Sequence, residues 1–310
     1  MRSPAFAYAV GALVITIVLF VATIPAIPGW LQPTPEGVRV ADKPKPQPKN
    51  DEYVEPRTIA HEFGGNCAAA VRNSNAYGVL TRAIGEFEDT GDLVSFAVRD
   101  LTNGNELNYD SLRIQYPASS IKAPYTACVY QKLIEPGETT VEAVYPLAQD
   151  TIVESSDEAY HELRGIYGSE VFLSWLQDAH VGHDGYESYE EMMRWNYPHM
   201  NANQLLGMWV HMYDYLQSDT APARQLADLL SQRTTSAMRV ALGPEVRTWG
   251  KMGWFEFFGD YGSEPATVEG GVVFAEEGPY AVAVMTTAPA QFGELEPIFT
   301  AIARAHYEML

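Results

Sequence analysis

The stretch YPASSIKAPY, residues 116–125, places Ser119 three positions before Lys122. On a helix that spacing is nearly one turn, so the two side chains share a face and come within reach of each other. A lysine there can take a proton from the serine, yet a Ser-x-x-Lys pair arises about once by chance in a chain of this size. The residues after Lys122 make the pair more informative. The run IKAPYTACVYQKLI, residues 121–134, is apolar on most faces and predicts a buried helix, ended by Pro136-Gly137. A lysine in such a helix is costly unless its charge is matched or lost, and that cost points to function.

Upstream, LVSFAVRDL (93–101) alternates and is rich in strand formers, and Asn103-Gly104 is a strong hairpin signal, so two antiparallel strands lead into the quoted stretch. Residues 57–88 show near-helical spacing of Val71, Leu80 and Ile84. Helical spacing also dominates from Val141 to Ser231, with aromatic and methionine residues read as core packing. Past Glu245, VRTWGKMGWF, TVEGGVVFA and PYAVAVMTT predict three strands, and ELEPIFTAIARAHYEM an amphipathic helix. The expected fold is therefore α+β. A five-stranded antiparallel sheet is flanked by terminal helices, and an all-helical subdomain (116–244) is inserted between the early and late strands.

Two further motifs lie downstream of Ser119 and Lys122. ESSDEAY supplies Ser155-Ser156-Asp157 in the helical block, and Lys251-Met252-Gly253 lies on the first late strand. The order S-x-x-K, S-x-N, K-T-G is that of active-site serine penicillin-binding proteins and class A β-lactamases. Over residues 90–290 the chain resembles the class A β-lactamase-like serine hydrolases. The resemblance implies that Ser119 is the acylated nucleophile, Lys122 its proton acceptor, Ser155 a proton shuttle to the leaving nitrogen and Lys251 a source of positive potential for a substrate carboxylate. It implies an oxyanion hole from the backbone N–H groups of Ser119 and Trp254, and β-lactams or cell-wall peptides as ligands, with no cofactor and no metal. Gly253 is expected to leave the strand edge open for substrate. Ser120 and Ser156 are read as capping or solvated neighbours.

The departures from the pattern matter as much. Asp157 puts a carboxylate where an amide donates to substrate, and Met252 replaces a hydroxyl donor. Class A enzymes further need a glutamate followed four residues later by asparagine to hold the deacylating water. Glu187, Glu190 and Glu191 lie in the corresponding region, GHDGYESYEEMMRW, and none has asparagine at that spacing. Weak turnover is expected, and a catalytically impaired domain that binds wall ligands or partner proteins is the competing reading. His180 and His183 are taken as surface residues rather than metal ligands. Cys67 and Cys128 are far apart in sequence, and whether they pair is left open.

The chain carries 20 basic and 40 acidic residues, a formal charge of −20, which repels phosphate backbones and argues against nucleic-acid binding. From Ala5 to Ile27 there is no charged residue, enough to span a bilayer core as a helix. The expected organisation is a membrane anchor (1–29), a proline-rich linker (30–56) and an exported hydrolase domain (57–310) on a single-pass protein. Cleavage and secretion is the alternative.

Overall fold

The computed structural model describes residues 62–232, 235–258 and 263–310. The expected membrane anchor and proline-rich linker lie outside the described residues. Among those described, no helix is long and apolar enough to cross a membrane.

In chain order the elements begin with β1 (Phe63–Gly64), α1 (Ala68–Arg72), α2 (Asn75–Glu88), β2 (Val94–Asp100) and β3 (Glu106–Tyr109). The helical block contains α3 (Lys122–Val129), α4 (Val141–Ile152), α5 (Asp157–Tyr167), α6 (Glu170–Asp178), α7 (Tyr189–Met192), α8 (Ala202–Leu216), α9 (Ala221–Ser231) and α10 (Ala237–Leu242). The late elements are β4 (Arg247–Phe255), β5 (Ala266–Ala275), β6 (Gly278–Thr286) and α11 (Phe292–Tyr307).

The strands form one antiparallel sheet in the order β1-β3-β2-β6-β5-β4. It has six strands, not the expected five: Phe63 and Gly64 pair with Tyr109 and Asn108 and extend the edge beside β3. A two-residue strand carries no period, so it was invisible within a segment read as helical. The early and late halves of the chain meet at β2 and β6, whose register runs from Val94↔Thr286 to Asp100↔Tyr280. Strand β4 lies at the opposite edge, with Lys251↔Gly270 and Gly253↔Val268.

Alternation along the strands sends side chains into two cores. Val94, Phe96, Val98, Val282 and Val284 pack with α2 and α11 on one face. Ala97, Ala281, Ala283, Val268 and Trp249 pack with the helical block on the other. The terminal helix is pinned by a buried pair: His306 Nε2 lies 2.8 Å from Asp100 Oδ2, with both side chains at most 1% exposed. Asp100 Oδ1 also accepts from the backbone N–H groups of Thr102 and Asn103. This ties the β2–β3 turn to α11. Cys67 and Cys128 are both free and buried, one under the terminal helices and the other in the helical block, so the possible disulfide does not form.

The helical block starts and stops where its caps dictate. Ser156 caps α5 by accepting from Ala159 N at 3.1 Å. Asn201 and Gln204 form a reciprocal capping box at the start of α8. Every residue of α3 is buried, Lys122 included, as a sequence apolar on most faces predicts.

Candidate active site

Ser119 sits in a 3₁₀ turn (Ala118–Ile121) that leads without a break into α3, whose first residue is Lys122. The turn opens on Ala118 at φ 45°, a left-handed conformation that costs an alanine about 1 kcal/mol and is held by the surrounding fold. The surrounding contact comes from β4. A side chain on Gly253 would place its first carbon 2.5 Å from Ser120 N and closer still to Ser119 N. Glycine therefore lets the edge strand lie directly against the backbone that carries Ser119. The expectation that it clears room for substrate alone is amended accordingly. Trp254 follows on the same strand, so its backbone stays next to that turn, while its ring packs edge-on against Phe292 at 5.0 Å.

Lys122 is fully buried. Its Nζ donates to the Ser155 carbonyl and to Asp157 Oδ1, both at 2.6 Å, and lies 5.9 and 6.0 Å from the ring centres of Tyr160 and Tyr197. Among the described residues it makes no hydrogen bond to Ser119 Oγ. The expected serine–lysine hydrogen bond is thus replaced by an ion pair with the carboxylate in the third motif position. Burial pulls the Lys122 ammonium below its ordinary value, and the hydrogen bond and charge of Asp157 work against that fall. Partial burial would raise the Asp157 carboxyl, but hydrogen bonds from Lys122 and Tyr197 outweigh it and hold the group below the usual carboxylate range. The two groups are joined at 2.6 Å.

Ser155 stands between the two lysines. Its carbonyl accepts from Lys122, and its hydroxyl accepts from Lys251 Nζ at 2.7 Å. Its backbone is left-handed, at φ 58°, which turns carbonyl and hydroxyl toward different partners. Lys251 is 3% exposed and also donates to the Met252 carbonyl at 3.0 Å. Met252 itself is 1% exposed, and its side chain belongs to the core beneath the terminal helices. On a strand, adjacent side chains take opposite faces. Met252, in place of the motif's hydroxyl residue, therefore packs in the core and does not line the large cleft, although it borders the small recess with Ser155 and Lys251.

Ser119 opens into a cleft of 510 Å³ whose walls include Asp157 and His161 from α5 and Arg194 to Tyr197 from the loop after α7. Tyr116, Trp254 and Phe255 complete an aromatic surround. A narrow recess of 40 Å³ beside it is lined by Ser155, Lys251 and Trp254. Glu187, Glu190 and Glu191 do not line the cleft. Ser188 caps α7 by accepting from Glu191 N, and Glu191 Oε2 accepts from Glu187 N at 2.8 Å. Among the described residues on the wall, Asp157 is the sole carboxylate, and the loop after α7 contributes Arg194, Trp195, Asn196 and Tyr197, none of them a carboxylate. Ser120 donates to the Pro117 carbonyl at 2.7 Å, a local role. Among the described residues no cluster of His, Cys, Asp or Glu could hold a metal.

Sequence reasoning missed Tyr197, Asn196, Arg194 and His161. One signal was available. Asp157, Tyr160, His161 and Arg164 follow helical i, i+3, i+4, i+7 spacing on α5, and this face receives the loop. Tyr160 donates to the Asn196 carbonyl at 2.7 Å, and Tyr197 donates to Asp157 at the same distance.

Solved structures share this architecture. A β-lactamase from Sphaerobacter thermophilus aligns with a TM-score of 0.59 at 15% identity, over 74% of this chain and 96% of that one. The class A β-lactamase of the last common ancestor of Gram-negative bacteria gives 0.59 at 19%, over 74% and 99%. A β-lactamase from Xanthomonas campestris gives 0.60 at 14%, over 75% and 99%. At such identities the likeness is one of fold. No curated protein matches the chain. A family model described as the beta-lactamase enzyme family matches residues 138–310, a span that contains Ser155, Asp157 and Lys251 and begins after Ser119 and Lys122. With more than half its length matched, and with this sheet and these strands behind the site, the chain belongs to the beta-lactamase enzyme family.

Proposed function

We propose that this protein is a serine hydrolase that forms an acyl-enzyme through Ser119 on β-lactams or on wall peptides, and that it deacylates slowly. The observation that carries the reading is the convergence on Ser155: one lysine on its carbonyl, the other on its hydroxyl, beside a cleft lined by Ser119. In the first step the Lys122 ammonium passes a proton to Asp157 and becomes the base. Ser119 Oγ attacks the carbonyl carbon as Lys122 takes its proton, and the backbone N–H groups of Ser119 and Trp254 receive the developing oxyanion. Ser155 gives its proton to the leaving nitrogen as the C–N bond breaks, and Lys122 restores that proton. The serine proton thus ends on the leaving group, and the acyl group stays on Ser119.

Hydrolysis of that ester needs a base for water, and Asp157, the sole carboxyl group on the described wall, already carries the proton it took from Lys122 in the first step and is also engaged by Tyr197. The acyl-enzyme accumulates. Incubation with a fluorescent penicillin followed by intact mass measurement tests this: one adduct is expected on the wild type and none on Ser119→Ala. An unlabelled wild type, or a labelled Ser119→Ala, would sink it. Rapid nitrocefin turnover would overturn slow deacylation alone.

One observation favours a second reading. Because Lys122 engages Asp157 and not Ser119, a domain that binds wall ligands without reacting is the alternative, identified by ligand binding with no adduct. We further propose that the uncharged stretch 5–27 anchors the protein in a membrane, with 30–56 as a spacer and the hydrolase outside the cell. Retention in the membrane fraction after alkaline carbonate washing is the expected result.

A further inference from the structure

Asp157 has an acceptor that the acyl-transfer steps leave unused. Its Oδ1 accepts from both Lys122 and Tyr197. Its side chain is nevertheless 70% exposed and lines the cleft, and Oδ2 makes no hydrogen bond among the described residues. An ionised carboxylate only accepts, so any ligand group that meets Oδ2 must donate, and a cationic donor is held most strongly. The surrounding rings, Tyr116, Trp195, Tyr197, Trp254 and Phe255, offer faces that attract a cation. The formal charge of −20 draws cations in and repels anions.

The two recesses also divide a substrate. Ser155, the donor to the leaving nitrogen in the proposed mechanism, lines the 40 Å³ recess with Lys251, whereas Asp157 and the rings line the 510 Å³ cleft. The leaving side therefore faces the recess and the acyl side faces the cleft. We propose that this cleft selects acyl donors that carry an ammonium group on the acyl side of the scissile amide, and that Asp157 is the residue that selects them. The proposal rests on the reading of the cleft as the acyl-transfer site. Arg194 lines the same cleft and opposes a cation, so Arg194→Ala is expected to widen the preference.

Ampicillin and benzylpenicillin differ by one amino group beside the acyl carbonyl and provide the test. Each is titrated calorimetrically into the Ser119→Ala protein at pH 6, where that amine is protonated. Ampicillin is expected to bind roughly tenfold more tightly, the scale of one charge-assisted contact, and the ratio should fall toward one in 0.5 M salt. Adding Asp157→Asn, with its fold checked by thermal unfolding, should abolish the preference. Equal affinities, tighter benzylpenicillin, no ampicillin binding at millimolar concentration, or a preference that survives Asp157→Asn each overturns the proposal. This assay reads binding to a protein without the nucleophile, so its outcome is separate from whether Ser119 is acylated. Selection without any adduct on the wild type would refute the catalytic reading and keep this one.

Discussion

Gly253→Ala probes the close approach of β4 to the turn that carries Ser119. The added carbon would lie 2.5 Å from Ser120 N and 3.0 Å from Ala118 C, where ordinary contact begins at 3.4 Å. These obstacles and the still nearer Ser119 N are all backbone, so no rotamer relieves them, and β4 or the 3₁₀ turn must move by about 1 Å. β4 is hydrogen-bonded to β5 along its whole length, whereas the turn already holds a left-handed Ala118, so the turn is the part that yields. Overpacking of this kind costs about 1–3 kcal/mol. A displacement near 1 Å of a reacting group lowers rate on the order of a hundredfold. The assay combines thermal unfolding with the rate of covalent labelling by fluorescent penicillin. A loss of labelling much larger than the loss of stability is expected. A variant that labels at the wild-type rate would refute the idea that this glycine sets the position of Ser119.

Met252→Thr restores the hydroxyl of the family motif, but the side chain lies in the core. It should cost about 2 kcal/mol in chemical denaturation and leave labelling no faster. Asp157→Asn removes the charge and hydrogen bond that raise the Lys122 ammonium, so burial lowers its pKa further. The rising limb of the labelling rate against pH should then move to lower pH, and a shift the other way would contradict the assigned base. Asp100→Ala strands buried His306 without its partner and should lose about 3 kcal/mol. In the folded protein hydrogen bonds from Thr102, Asn103 and His306 overcome burial and hold the Asp100 carboxyl below its ordinary value. Its stabilisation is therefore complete above about pH 4 and is lost as pH falls through the folded value. Urea midpoints should drop more steeply below pH 4 in the wild type than in Asp100→Asn.

The elements with long periods were legible from sequence. β4, β5, β6 and α11 lie within a few residues of the segments that alternation and amphipathic spacing mark out, and the Asn103-Gly104 turn joins β2 to β3. Short elements were not. β1 has two residues, and the segment read as one helix breaks at Ser74, whose side chain caps α2 by accepting from Ala76 N. At the site, motif order pointed to Ser119, Lys122, Ser155 and Lys251, and the structure brings Ser155 into hydrogen-bond contact with both lysines. It could not show which partner Lys122 takes, since Ser119 and Asp157 approach it from different elements. The loop carrying Asn196 and Tyr197 has no periodicity at all, and its place depends on tertiary hydrogen bonds to α5.

The pairing of β2 with β6, Val94 against Thr286, sets a condition on biosynthesis. Ser119 emerges from the ribosome early, but the strand that carries Lys251 is held by β5, and β5 is held by β6. A nascent chain that stops short of β6 can contain every motif residue and still lack the sheet that brings them together. Such long-range closure is slow, so the surroundings of Ser119 stay unassembled until synthesis is nearly finished.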